Sequence, residues 1–333
     1  MKRNYNLLKG LMIFLIFLLS CESRISKQEY YTDFVTIDVH NFYNMFHKLE
    51  KANSLVDTLQ LLNDEFIEKA SRGLKAYFDY ETTNNSRNIE QEYLNILRLF
   101  PKYIESQEPL LTQIDELVPH YNNYFKKIKN IYPEATFPPV YFAFGIFNTN
   151  GQMIPPSTVF IGLETSLTNK KTNFIEFPES YLWIRDDSSN YKDVGYIVVH
   201  ESLHTLQSNS DDYSLLSQAI TEGAAVFLTK YICGEESLIG NAGITQKMLD
   251  YANSNKNEIW RDFQMDIQQS QNFDKWFWSS NSDYPYSMGY YMGYKICQSY
   301  YSKHINKEQA LLKLIKLKNF EEIYEQSEYY EPR

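Results

Sequence analysis

Asp193-Val-Gly-Tyr-Ile-Val-Val-His200-Glu201-Ser-Leu-His204-Thr-Leu-Gln207 is the stretch around which the rest of the chain organises. Tyr196, Val199, Leu203 and Leu206 recur at helical spacing, and Ile197 and Val198 form a second apolar face. A helix that is apolar nearly all round is buried. His200 and His204 lie four residues apart, one above the other on one helix face. Their ring nitrogens can therefore converge on a single Zn²⁺. Glu201 stands where a general base for a metal-bound water belongs. Histidine is scarce, six in 333 residues, and burying two of them beside a glutamate without partners would be costly. A metal supplies a partner to both. The competing reading is a buried helix with two incidental histidines.

A catalytic zinc takes three protein ligands and keeps one position open. Glu222, in Ser217-Gln-Ala-Ile-Thr-Glu222-Gly-Ala-Ala-Val-Phe-Leu-Thr-Lys-Tyr-Ile232, is the candidate third ligand, 18 positions after His204. The polar run Ser208–Asp212 reads as the turn between the two helices. The small Gly223, Ala224 and Ala225 predict that the second helix comes close to the metal helix. Further on, Gly289 and Gly293 share a helix face and predict close packing, with Tyr290, Tyr291 and Tyr294 around them. A tyrosine hydroxyl already in place can stabilise a developing oxyanion, and Tyr290 is the candidate for that role, against ordinary aromatic core packing. His304 is second to it. His40, His47 and His120 fall in amphipathic N-terminal helices and read as solvated.

The N-terminus addresses the protein. Lys2, Arg3 and Lys9 precede a short apolar core, Leu11–Leu19, and Leu18-Leu-Ser-Cys21 fits a bacterial lipobox. The run is short for a membrane span and reads as a signal over 1–20, cleaved before a lipidated Cys21, against the alternative of a retained anchor helix. That implies an anchored cell-envelope lipoprotein, periplasmic or surface-exposed, in the outer membrane of a Gram-negative bacterium. The chain carries 32 basic and 42 acidic residues, a net charge of −10. Without Lys2, Arg3 and Lys9 the balance is 29 against 42, or −13. Such a chain is a poor nucleic-acid binder. Cys233 and Cys297 lie in helical patterns and are either one disulfide or two buried thiols; buried thiols are the expectation, because a chain of this size has core enough without a disulfide.

The order of patterns predicts an α+β fold, mostly helical, with a small β-sheet before the metal helix. Residues 21–36 read as a tether and 37–333 as one domain, helical over 37–130 and catalytic over 131–333. Apolar periodicity predicts helices over Asn53–Tyr80, Ile89–Phe100 and Pro109–Ile128, with Pro101 and Pro119 at ends or kinks. Pro138–Phe147 and Thr158–Leu163 read as strands, with Asn148–Pro156 as loop between them.

The His200–His204 motif, Thr221–Ala225, the run Asn257–Trp260 followed by Met288–Ile296, Ala70–Leu74 and Val159–Glu164 together resemble a known group. It is the predicted zinc-dependent proteases among Bacteroidetes lipoproteins, within the domain of unknown function 2268 and related to the gliding-motility lipoprotein of the B type. The resemblance implies a zincin-like (gluzincin) fold, one Zn²⁺ on His200, His204 and Glu222, and Glu201 as base. It singles out Tyr290 among the three tyrosines, a position less aromatic in the gliding relatives. One departure stands out: the relatives place an aspartate four residues after the ligand glutamate to orient a ligand histidine, and here that position is Val226. A backbone carbonyl or Asp193 could take its place.

The main functional expectation is a membrane-anchored zinc metallopeptidase acting on a peptide or protein substrate. The strand around Phe160–Glu164 would pair with an extended peptide. The alternative is a non-catalytic envelope lipoprotein, a structural or assembly component of a gliding or secretion machine.

Overall fold

The computed structural model describes residues 30–181, 184, 191–208, 213–239, 244–269, 272–277, 285 and 287–329. Tyr31–Arg333 form one unit and Met1–Tyr30 another. The signal segment and Cys21 lie outside the described residues, as does most of the turn expected over Ser208–Asp212.

A four-stranded sheet runs in the order β1-β2-β4-β3, from Phe34–Val35 (β1), Val140–Ala143 (β2), Gly151–Ile154 (β3) and Thr158–Gly162 (β4). β1, β2 and β4 are parallel, and β3 pairs antiparallel with β4, Met153 opposite Val159. Two strands fall where none was expected. Phe34–Val35 lie within the tether read over 21–36. Gly151–Ile154 lie within the stretch read as loop, whose Asn, Gly and Pro content masks a four-residue strand stabilised by its neighbours. β4 is flanked on both sides, so it cannot accept an added peptide strand as expected; the edge on that side is β3.

The N-terminal helices are Ile37–Lys48 (α1), Leu55–Leu62 (α2), Arg72–Asn85 (α3), Ile89–Leu99 (α4), Pro101–Leu111 (α5) and Ile114–Ile131 (α6). The single long helix read over Asn53–Tyr80 is broken: a π-turn at Asn63–Ile67 ends α2, and Ser71 caps α3 by accepting from the Leu74 N–H at 3.2 Å. Pro101 opens α5 at its first turn, where no N–H is needed. α3 lies directly on the sheet, because Gly73 leaves room for the Tyr141 ring. After β4 and a short helical turn, Leu163–Ser166 (α7), come Tyr191–His204 (α8), Leu215–Cys233 (α9), Gln246–Ser254 (α10), Lys256–Gln269 (α11), Phe273–Phe277 (α12), Met288–Lys303 (α13), Lys307–Lys316 (α14) and Phe320–Ser327 (α15).

α8 divides two cores. Val194, Ile197 and Val198 join the sheet and the N-terminal helices. Tyr196, Val199 and Leu203 join α9, α13 and the other C-terminal helices. The two apolar faces read from the sequence each have their own partner. Cys233 and Cys297 are buried free thiols, as expected.

Candidate metal centre

α8 reaches the centre with its last turns, and α9 passes it at mid-length. Ser214 caps α9 by accepting from the Ser217 N–H at 3.2 Å, and Gly234, with φ of 120°, ends it. Glu222 is thereby carried to the histidines on a well-fixed helix. His200 Nε2 lies 3.1 Å from His204 Nε2, and Glu222 Oε2 lies 3.2 Å from each. The three atoms form a nearly equilateral triangle. Ligand atoms about a tetrahedral zinc, at ~2.0–2.1 Å from it, stand about 3.3 Å apart. The donor set and its spacing fit one such ion, and among the described residues this is the one group of three or more histidine, cysteine or acidic side chains so arranged.

The electrostatics agree with a site built for positive charge. Burial would raise the pKa of Glu222, but the two histidines outweigh it and hold the carboxyl below its ordinary range. Burial likewise opposes charge on His204, yet Glu222, Glu201 and Gln207 carry its pKa up to about 9. Glu201 is shifted toward its neutral form. Burial raises its pKa, with the histidines and the Met153 N–H opposing. A carboxylate so raised is a better proton acceptor near neutral pH.

Glu201 is held by the sheet. Its Oε2 accepts from the Met153 N–H of β3 at 2.9 Å. Gly151 makes this possible: a Cβ there would stand 2.5 Å from Ile197 Cγ2 and 3.0 Å from Glu201 Cγ. Only glycine lets β3 lie this close to α8.

The two histidines are supported unequally. His204 Nδ1 lies 2.7 Å from Gln207 Oε1, and Gln207 Nε2 donates to the Thr221 carbonyl at 3.0 Å. That carbonyl only accepts, so the amide nitrogen must face it and the amide oxygen must face His204. His204 therefore carries a proton on Nδ1, which leaves Nε2 as the atom that would face an ion. Gln207 was not among the expected site residues. Its signal was its place three residues past His204, on the same side of the helix end. His200 Nδ1, by contrast, is buried with no hydrogen-bond partner among the described residues. Val226, where the resemblance implied an aspartate, is fully buried in the apolar core. The side chain of Asp193 lies outside the described residues.

Tyr290 comes to the site, its ring 6.4 Å from that of His200 and stacked on it at 29°. Its neighbours turn away: Tyr294 Oη accepts from Lys230 Nζ at 3.0 Å, and Tyr291 faces a separate cavity. His304 is bound to the Tyr300 carbonyl and Gln326, and does not reach the centre. His40 and His47 pair with Asp115 and Glu108 near the surface. Glu164, part of the resemblance, is structural: fully buried, it accepts from the Gly145 and Phe147 N–H groups at 2.6 and 3.0 Å. Burial pushes its pKa up to about 7 against those two hydrogen bonds.

The close approach expected between α9 and α8 is made elsewhere. Gly223 packs on Gly293 of α13, where an added Cβ would fall 2.0 Å from the Gly293 carbonyl carbon. Gly289 faces Phe277 instead.

The family model for gliding motility protein GldB matches residues 23–331. No curated protein and no solved structure matches the chain.

Proposed function

Because this chain belongs to the family of the gliding motility protein GldB, we propose that it is a cell-envelope lipoprotein serving the gliding machinery through protein partners, and that it holds one Zn²⁺ between α8 and α9. The observation that carries the metal is the convergence of His200, His204 and Glu222 within 3.2 Å of one another. Among the described residues no helix is long and apolar enough to cross a membrane; a lipid on Cys21 would supply the anchor.

A peptidase reading of the same centre is favoured by Glu201. The bound ion would supply a Lewis acid and a water of lowered pKa. Glu201, steadied by the Met153 N–H, would take that water's proton and pass it to the leaving amine. Tyr290, beside His200, would offer its hydroxyl to the developing oxyanion. A gluzincin-like relation of sheet edge, metal helix and glutamate helix belongs to this reading. The non-catalytic reading is favoured by His200, whose Nδ1 has, among the described residues, no orienting partner of the kind metal enzymes provide. In that case the centre ties α8 to α9 and the protein acts by assembly.

Metal analysis of the purified protein under native conditions should find about one Zn²⁺ per chain, lost in His204→Ala. Absence of metal even after zinc is supplied would sink both readings of the centre and leave the envelope role alone. Glu201→Gln separates the two readings. It should keep zinc and, if the centre is hydrolytic, lose peptide cleavage by several orders of magnitude. Cleavage that persists in this variant removes Glu201 as the base.

A further inference from the structure

On the other side of α13 from Tyr290, a cavity of about 480 Å³ opens between α13, the ends of α10 and α15, and the start of α11. Its wall is aromatic: Trp260 and Tyr329 meet edge to face at 4.5 Å, and Tyr291 lies beside them. Three lysines, Lys256, Lys295 and Lys303, also line it. Lys303 is neutralised by Glu328 at 2.6 Å. The other two have no carboxylate partner among the described residues, and Lys295 Nζ reaches only Gln298 Oε1 at 2.9 Å.

Two like charges set side by side without a carboxylate repel each other, and Lys256, at the surface, is open to a ligand from solvent. Lys295 is half-buried; burial, together with Lys256 and Lys230, holds its ammonium below the usual lysine range. Lys256 is the first residue of α11, where the helix dipole disfavours positive charge. Forty-two acidic residues are available in the chain, yet none of the described ones pairs with these two cations. An anion from outside would satisfy both at once.

We propose that this cavity binds a small organic anion, a carboxylate or phosphate monoester on a flat apolar body. The anionic group would lie against Lys256 and Lys295, and the body against Trp260, Tyr291 and Tyr329. Ligand sites of this size combine an apolar wall with a few convergent polar groups, and a flat ring gains further by packing on aromatic faces. The cavity shares α13 with the metal centre but none of its ligands.

Calorimetric titration of the purified protein with phenyl phosphate and with phenylacetate tests this and distinguishes the two head groups. At least one of them should saturate a single site at least tenfold more tightly than inorganic phosphate, which lacks the body, or benzyl alcohol, which lacks the charge. Lys295→Gln should weaken that binding at least tenfold while leaving the melting temperature of the free protein unchanged or higher, since an unpaired cation has been removed. Lys256→Gln, on a different helix, should weaken it as well and covers the case in which the first variant fails to fold. Binding that survives both substitutions overturns the proposal, as does equal affinity for benzyl alcohol. Binding lost instead in His204→Ala would place the anion at the metal centre and would likewise overturn it.

Discussion

His200 and His204 differ in what holds them, and that difference governs the chemistry of single residues here. Gln207, itself held by the Thr221 carbonyl next to Glu222, fixes a proton on His204 Nδ1. Gln207→Ala should therefore weaken zinc binding by ~10–100-fold, as loss of such an orienting partner does. Chelator competition measures it, and unchanged affinity would mean that packing alone orients the ring. For His200 the experiment runs in reverse. Val226 lies one helical turn past Glu222, so its side chain projects toward the same region. Val226→Asp should tighten zinc by ~10-fold if the new carboxylate accepts from His200 Nδ1. Weaker zinc together with a lower melting temperature would show a buried, unpaired carboxylate facing apolar core instead.

At the scale of elements, the centre depends on two close approaches that only glycine allows. Gly151 brings β3 against α8, so that the Met153 N–H reaches Glu201. Gly223 and Gly293 let α9 and α13 touch backbone to backbone; a Cβ on Gly293 would stand 1.6 Å from the Ala219 carbonyl oxygen. Gly293→Ala must separate the helices or distort one of them. It should cost on the order of 3 kcal/mol, the upper part of the range for overpacked cores, read as a clear drop in melting temperature. Because α9 carries Glu222 and α13 carries Tyr290, the same variant should also weaken zinc binding. A variant that melts like the parent would show that the crossing can open without penalty.

For the molecule as a whole, the family match over 23–331 covers both cores and the metal centre together. α8 lies between the two cores and contributes a face to each. The centre at its end is therefore coupled to the packing of the entire unit, and metal binding should raise the stability of both halves in one transition. In the proposed lipoprotein reading, location would rest on a lipid at the sulfur of Cys21, which lies outside the described residues. Cys21→Ser should block lipidation and release the protein from the membrane fraction. Retention on the membrane would reveal a tight envelope partner.

The linear chain by itself picked out His200, Glu201, His204 and Glu222, which the fold brings together, and the buried helix that carries the first three. The two histidines depend on spacing along one helix, where a period of 3.6 residues converts sequence distance directly into a shared face; Glu222, on the next helix, was legible from its place beside small residues soon after the motif. The mostly helical α+β class and the free thiols were legible for a similar reason, since apolar periodicity and chain length report burial. Strands β1 and β3 were not legible. At two and four residues they have almost no pattern of their own, and exist because β2, β4 and α8 complete their hydrogen bonds and burial. The partner of Gly223 was equally beyond reach, because a small residue announces a close approach without saying to what. Gln207 reached the site through a carbonyl on another helix, and Lys256 and Lys295 were brought together from separate helices. Contacts of that kind depend on how helices pack across long sequence separations, and the folded molecule alone decides them.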